Sequence, residues 1–199
     1  MRNTAILSIF AAALLFTSCN NTSENSSESS ELSTKDKILV PEAKEDGVPY
    51  YVVPQESQVS WEGKKMTGAH NGAVIIKEGS LAVKDDKVTG GTIVLDMTTI
   101  TNADLTDATD NQKLVGHLKS DDFFGVEKFP HATFTFDKTT YEPNTEAGKP
   151  NYTVEGTLTI KDKTDQVSFP AFISVENGVA RAKGDIKIDR SKFDVRYGS

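Results

Sequence analysis

Residues 152–188 carry the clearest structural signal in the chain and read YTVEGTLTIKDKTDQVSFPAFISVENGVARAKGDIKI. Apolar and polar residues alternate here with a period of two, which is typical of half-buried β-strands. The pair Asn177-Gly178 interrupts the alternation, and both residues tolerate the positive φ that a two-residue hairpin turn needs. The stretch therefore predicts three antiparallel strands, at Tyr152–Ile160, Gln166–Val175 and Val179–Ile188.

The alternation also predicts which face of each strand is dry. These faces combine large aliphatic side chains with glycine and alanine. They comprise Tyr152, Val154, Gly156, Leu158 and Ile160; then Val167, Phe169, Ala171 and Ile173; and finally Ala180, Ala182, Gly184, Ile186 and Ile188. Small inward residues either accommodate bulky neighbours in a close-packed core or leave a cavity inside a curved sheet. The residues alone leave both alternatives open, and tight packing is the simpler one.

Shorter runs of the same kind extend the pattern upstream. They are Pro49–Val53, Gln58–Glu62, Ala73–Ile76, Leu81–Lys84, Lys87–Met97 and Thr133–Tyr141. Between residues 101 and 129 the pattern lapses, and apolar residues at helical spacing follow Asp110, a suitable N-cap, so a short helix is expected. The domain is predicted to be all-β: an antiparallel barrel of about eight strands with a helical insertion, because closure removes the sheet edges.

The first 47 residues have the layout of an export signal followed by a tether. Residues 1–18 join a basic start to the apolar run Ala5–Phe16, which is shorter than the roughly 18 residues of a membrane-spanning helix. The run ends at Cys19, and Leu-Leu-Phe-Thr-Ser-Cys resembles a bacterial lipoprotein cleavage box. We expect lipidation of this cysteine; an ordinary secretory signal is the alternative. Residues 19–47 are too polar to fold and predict a flexible tether.

Charge argues against nucleic acid as a partner. The 199 residues include 22 Lys plus Arg against 29 Asp plus Glu, for a net charge of −7. Such a chain offers no electrostatic footprint for DNA or RNA. The membrane partner would instead be reached through the N-terminal lipid anchor, which places the protein in a bacterial cell envelope, on the periplasmic side or at the outer membrane.

Motifs of catalysis and of metal binding are absent from the sequence. It has no G-x-S-x-G, H-E-x-x-H or G-x-x-x-x-G-K-[ST]. The three histidines, at positions 70, 117 and 131, show no metal-ligand spacing, and we expect them to anchor loops. Asp104, Asp107 and Asp110 lack the order of a calcium loop and indicate a solvated helix start. We predict no enzyme activity, no metal and no cofactor.

Five segments, in this order, resemble the YceI-like family of periplasmic lipid-binding proteins. They are His70-Asn71-Gly72, Gly116-His117-Leu118-Lys119-Ser120-Asp121-Asp122-Phe123-Phe124, Phe129-Pro130-His131-Ala132-Thr133-Phe134, Gly156-Thr157-Leu158-Thr159-Ile160 and Asp189-Arg190-Ser191-Lys192-Phe193. The resemblance implies a lipocalin-like barrel over residues 48–199 whose interior binds a long isoprenoid, such as a polyprenyl pyrophosphate or a quinone tail. With it, the small inward residues look like room for such a chain.

The resemblance also suggests where the ligand binds. The expected lining residues are Trp61, Ile76, Ile93, Leu95, Phe123, Phe124, Phe134, Phe136, Leu158 and Phe169, each of which is equally compatible with ordinary core. His70 and His117 are candidates for a polar mouth, with loop anchoring as the alternative. The rival interpretation of the whole domain is a structural or interaction module that binds a protein or glycan on its outer face.

The end of the domain departs from the family pattern. Family members continue beyond Arg196-Tyr197-Gly198 into a final strand, whereas this sequence stops at Ser199. Two alternatives follow: a shortened chain, or a barrel that closes without that strand. A missing last strand would leave an unpaired edge, and pairing of two such edges would give a homodimer.

Overall fold

The computed structural model describes residues 47–65, 68–143 and 146–195. The predicted signal, Cys19 and the tether as far as residue 46 lie outside the described residues, as do residues 196–199. The described residues belong to one compact unit.

Antiparallel strands dominate the described chain. They are β1 (Val48–Tyr51), β2 (Val59–Lys65), β3 (Gly68–Lys84), β4 (Lys87–Asp96), β5 (His131–Tyr141), β6 (Tyr152–Ile160), β7 (Lys163–Glu176) and β8 (Val179–Gly184). Helix α1 spans Ala108–Lys119, and 3-10 turns occur at Pro54–Glu56, Met97–Thr99 and Arg190–Phe193. The strands form one sheet in the order β1-β3-β4-β5-β6-β7-β8, with β2 pairing the first half of β3. The sheet curls into a nearly closed barrel, which confirms the predicted fold class.

The hairpin turns follow from local chemistry. Asn177 and Gly178 both have positive φ, 52° and 75°, as the two-residue turn between β7 and β8 requires. Asp85 and Asp86 do the same between β3 and β4, at 51° and 58°. Asp162-Lys163 is a weaker turn signal in the sequence, and the turn between β6 and β7 lies one residue earlier, because Lys161 takes the left-handed conformation there and β7 begins at Lys163.

Two of the sequence predictions for β3 and α1 are wrong in detail. The runs Ala73–Ile76 and Leu81–Lys84 belong to one 17-residue strand, β3, in which a register shift at Lys77 restarts the alternation. The N-cap of α1 is Asp107 rather than Asp110, because the Asp107 carboxylate accepts from the backbone N–H groups of Thr109 and Asp110. Asp107 thus caps the first turn of the helix, which begins at Ala108.

The dry face predicted for Val179–Ile188 is also wrong. Ladder pairing between β7 and β8 ends at Ala171 and Gly184, and the residues from Ala182 to Ile188 are exposed. The carbonyl of Ala171 accepts from Asn151 on the β6 side, so the backbone of Pro170 is directed toward β8. Proline has no N–H to donate to Asp185, and the ladder stops there.

Two apolar clusters fill the barrel. The first, which we call the helix-end cluster, includes Val74, Met97, Ile100, Leu118, Val126, Ala132, Leu158, Ile160, Phe193 and Val195. The second, the hairpin-end cluster, comprises Val83, Val88, Phe136, Tyr152, Val154, Ala171 and Ile173. Phe134 packs against both clusters. Met97, predicted as the last residue of a strand, instead begins a 3-10 turn and is buried in the helix-end cluster.

Candidate functional site

The inner face of β4, β5 and β6 brings together aromatic and aliphatic residues from distant parts of the chain. Register places Phe134 opposite Ile93 on one side and Leu158 on the other. Phe136 lies opposite Gly91 and Gly156. Because directly opposed residues share a face, this part of the sheet presents a continuous apolar surface to the interior.

Three phenylalanines form the centre of this surface. The rings of Phe134 and Phe136 are stacked, with centroids 5.4 Å apart, and Phe134 lies 5.6 Å from the ring of Phe169. Phe134 and Phe136 are two residues apart on one strand, so they share a face, whereas Phe169 comes from β7. We call Phe134, Phe136 and Phe169 the aromatic trio.

Glycines next to the trio make room for its rings. A Cβ added to Gly91 would lie 2.9 Å from the Phe136 ring, and one added to Gly156 would lie 2.9 Å from the Phe134 ring. A Cβ on Gly184 would lie 3.0 Å from the Phe169 ring. The expectation that these small residues leave empty room is therefore wrong for this conformation, since aromatic side chains occupy the space.

The predicted lining residues nevertheless retain accessible surface. Ile76, Phe136 and Leu158 are buried. The other seven are only half-buried: Trp61, Ile93, Leu95, Phe123, Phe124, Phe134 and Phe169. Trp61, Leu95, Phe123 and Phe124 pack against the helix-end cluster. Half-buried apolar side chains on an inner face leave surface that a ligand can cover.

Alternation identifies inner residues that the predicted lining set omits. Val167, two residues before Phe169, packs against the helix-end cluster. Leu81, opposite Gly91, packs against the hairpin-end cluster. The alternation of β7 already places Val167 on the inner face. For Leu81 the apolar pattern gives no such indication, because the register shift in β3 changes which residues face inward.

The predicted mouth histidines have different environments. His70 Nδ1 lies 2.8 Å from Asp104 Oδ2, which links β3 to the loop before α1. His117, on α1, packs its ring edge-on against Phe123, with centroids 5.8 Å apart. Asp104 was expected to be merely solvated, and no local pattern could have paired it with His70, because 34 residues separate them.

Hydrogen bonds strongly favour the ionised form of Asp104. Its Oδ1 accepts from the backbone N–H of Asn71 at 2.8 Å and from Asn102 Nδ2 at 2.6 Å. The backbone bond from Asn71, followed by the bond to His70, lowers the pKa of Asp104 from 3.8 to about 2. The Asp104 carboxylate therefore ties the loop before α1 to His70 and to the backbone of β3.

Asp104 should make stability depend on acid pH. Its pKa is lower in the folded than in the unfolded chain, so its contribution is complete above about pH 4 and is lost as the pH falls toward about 2. We expect Asp104→Asn to lower the urea midpoint at pH 7 but not at pH 2, measured by Trp61 fluorescence. The matched control is Asp122→Asn at an exposed carboxylate. If Asp104→Asn lowered the urea midpoint equally at both pH values, the ionised carboxylate of Asp104 would not be what stabilises the fold.

Two outer concavities flank the barrel. A groove of about 550 Å³ lies between α1 and residues 99–102, with Ile100, Val115 and Gly116 among its lining. A polar cleft of about 350 Å³ lies over the register shift of β5, where Lys138 pairs with Glu155 at 2.7 Å. Within the described ranges, no group of three or more His, Cys, Asp or Glu residues is arranged to bind a metal ion.

The YceI-like domain model matches residues 50–199, which is most of the chain. The chain belongs to the YceI-like family. Among solved structures, BcnA of Burkholderia cenocepacia is 29% identical with a TM-score of 0.54, covering 74% of this chain and 86% of BcnA. A YceI protein of Campylobacter jejuni is 18% identical with a TM-score of 0.41, covering 87% of this chain and 85% of that protein. No functionally curated protein matches the chain.

Helix α1 is too short and too polar to cross a bilayer, and no other helix in the described ranges is long and apolar enough to do so.

Proposed function

We propose that the barrel of this YceI-like protein binds a long isoprenoid lipid, a polyprenyl pyrophosphate or a quinone-like molecule, and sequesters or transports it without chemical turnover. The observation that supports this most is the half-buried apolar inner face. It runs from the helix-end cluster, against which Trp61 packs, to the hairpin-end cluster, against which Phe169 packs. An isoprenoid needs many nonspecific apolar contacts and few polar ones, at about 25 cal/mol per Å² of surface buried.

In the proposed mechanism, the aromatic trio gives way to the ligand. The rings of Phe134 and Phe169 fill the space beside Gly156 and Gly184 and are themselves half-buried. Rotation of these side chains would exchange ring contacts for contacts with the isoprenoid chain. The glycines have no side chain to obstruct that exchange, and rotamer changes of this kind commonly accompany ligand binding. Binding would then cover the accessible surface of the inner face.

The proposed ligand orientation uses the two ends of the barrel. The polar groups near the helix-end cluster, His70 and His117, would lie by the headgroup, and the chain would extend toward Phe136. The proposed location is the bacterial envelope, on the periplasmic side or at the outer membrane, with lipidation at Cys19 as the anchor. This cysteine lies outside the described residues, and its role rests on the sequence pattern.

Titration with prenols of graded length tests the proposed function. Trp61 is the only tryptophan in the sequence and packs against the helix-end cluster, so its emission reports events inside the barrel. We expect saturable changes at one-to-one stoichiometry, with nonaprenol binding more tightly than farnesol because it buries more apolar surface. No saturable change with any prenol would favour an outer-face interaction module.

A further inference from the structure

The side chain of His70 lies on the inner face of β3, at the end of the barrel that holds the helix-end cluster. His70, Gly72 and Val74 share this face because residues two apart on a strand point the same way. Register places Trp61 opposite Gly72, and Val74 belongs to the helix-end cluster. The His70 side chain is still 34% exposed. The imidazole therefore continues the apolar inner face outward and remains accessible.

Hydrogen bonds to Asp104 determine which ring nitrogen of His70 carries a proton. The backbone N–H of Asn71, followed by the His70 ring, lowers the pKa of the Asp104 carboxyl to about 2, so this group is ionised at neutral pH. An ionised carboxylate only accepts hydrogen bonds. The 2.8 Å contact between Asp104 Oδ2 and His70 Nδ1 therefore places a proton on Nδ1. In the neutral imidazole, Nε2 is then a hydrogen-bond acceptor.

Anchoring of the loop before α1 does not account for this arrangement. Two backbone hydrogen bonds already join residues 101–103 to β3. The side chain of Asn102, which is 9% exposed, adds bonds to the Asn71 carbonyl and to Asp104 Oδ1. Among the described residues, Asp104 is the one hydrogen-bond partner of the His70 ring, and it bonds to Nδ1. The network thus fixes the imidazole and leaves Nε2 to a group from outside the fold.

The charge beside His70 disfavours an anionic headgroup. The charged side chain that the described structure places against the imidazole is the Asp104 carboxylate. An anion at Nε2 would lie one ring width from this carboxylate, and like charges repel. Binding of phosphate groups in proteins relies instead on guanidinium or ammonium partners. The pair of His70 and Asp104 therefore suits a neutral hydrogen-bond donor better than a pyrophosphate.

We propose that His70 and Asp104 select isoprenoids whose headgroup is neutral and carries a hydroxyl donor, as in a prenol or a quinol. The hydroxyl would donate to His70 Nε2, and Asp104 would act as a positioning residue that fixes the tautomer. A pyrophosphate is anionic and a quinone presents only carbonyl acceptors, so both should bind less tightly. This inference rests on the proposed function, because it takes an isoprenoid chain to lie along the inner face.

Three geranylgeranyl ligands with one common chain test this selectivity. The alcohol can donate a hydrogen bond, its methyl ether cannot, and the pyrophosphate is charged. Titrations of the full-length protein at pH 8, where imidazole side chains are neutral, are followed by Trp61 fluorescence. We expect the alcohol to bind roughly tenfold more tightly than the ether, and more tightly than the pyrophosphate. Tightest binding of the pyrophosphate, or equal binding of alcohol and ether, would overturn the headgroup assignment alone. Binding of none would overturn the proposed function as well.

Displacement of radiolabelled geranylgeraniol distinguishes the two sources of a hydroxyl headgroup. Without oxygen, menaquinol-4 should displace it at a lower concentration than menaquinone-4, because only the quinol has donors. The reverse order would contradict the assignment. The tighter of menaquinol-4 and geranylgeraniol then identifies a quinol or a prenol as the preferred class.

Variants of the pair separate its role in binding from its role in folding. His70→Phe keeps a flat ring without an acceptor, so alcohol and ether should bind equally. His131→Phe is the matched control, because His131 is also half-buried but lies on the face of β5 opposite Phe134, and the preference for the alcohol should persist. Asp104→Asn should reduce that preference and leave the affinity for the ether unchanged. Equal weakening of both ligands would instead indicate a purely structural role. If His70→Phe does not fold, the wild-type ligand series still decides.

Discussion

Replacing Gly72 by alanine should destabilise the domain by about 3 kcal/mol or more, lowering the melting temperature by roughly 6–12 °C. A Cβ at this position would lie 1.8 Å from the carbonyl oxygen of Thr101 and 2.8 Å from Trp61 Nε1. Backbone cannot yield as a flexible side chain can, so residues 101–103 must move away from β3. Differential scanning calorimetry measures the effect.

Gly72→Ala would lose more stability than the steric clash alone costs, because hydrogen bonds join residues 101–103 to β2 and β3. Thr101 N–H donates to the carbonyl of Ala73, Ala103 N–H donates to that of Asn71, and Trp61 Nε1 donates to that of Thr101. Moving the loop breaks or lengthens these three bonds. It would also disturb the hydrogen bonds of Asp104 on which the link to His70 depends.

Gly116→Ala is the matched control. Gly116 lies inside α1, and a Cβ there would meet nothing within 4 Å. Alanine in a helix interior is favoured over glycine by about 0.5–1 kcal/mol, so this variant should be more stable than the wild type. If Gly72→Ala were as stable as Gly116→Ala, the close approach of residues 101–103 to β3 would be wrong.

Placing a carboxylate in the aromatic trio should abolish lipid binding. We expect Phe169→Glu to weaken nonaprenol binding by at least ~100-fold, because the ligand would desolvate an unpaired charge. In the free protein, the half-buried position leaves the carboxylate a route to water, so folding should be retained. Binding is measured by Trp61 fluorescence and folding by circular dichroism.

Phe172→Glu is the control on the same strand. Phe172 is half-buried like Phe169, but it lies on the opposite face of β7, as the alternation of buried Ala171 and Ile173 shows. The Phe172→Glu protein should bind nonaprenol as the wild type does. If Phe169→Glu does not fold, Phe169→Gln and Phe172→Gln repeat the comparison without the charge. Equal losses on the two faces would contradict an interior site.

The fold was largely predictable because strand alternation and turn residues are local signals. The bounds of Tyr152–Ile160 were predicted as observed, and Asn177-Gly178 forms the expected turn. The errors arose where distant residues decide the local structure. Pro170 on β7 ends the ladder of β8, and the register shift at Lys77 could not be read from the apolar pattern of β3 alone.

The site was less predictable than the fold. Alternation indicates which face a residue occupies, but not that Phe134 joins two clusters or that rings fill the space beside the glycines. These features depend on three strands meeting in register. The pairing of His70 with Asp104 likewise joins residues that no sequence motif connects. The role of the ten lining residues and of both histidines stays a prediction.

Native mass spectrometry of the protein purified from a bacterial envelope, followed by organic extraction, tests whether the barrel holds an isoprenoid lipid. We expect a discrete adduct at near one-to-one stoichiometry, whose extracted mass is that of a polyprenyl or quinone-like lipid. The Phe169→Glu protein should be free of it, and the Phe172→Glu protein should retain it. A clean ligand-free mass for the wild type that persists after incubation with polyprenyl lipids would rule out isoprenoid binding in the barrel.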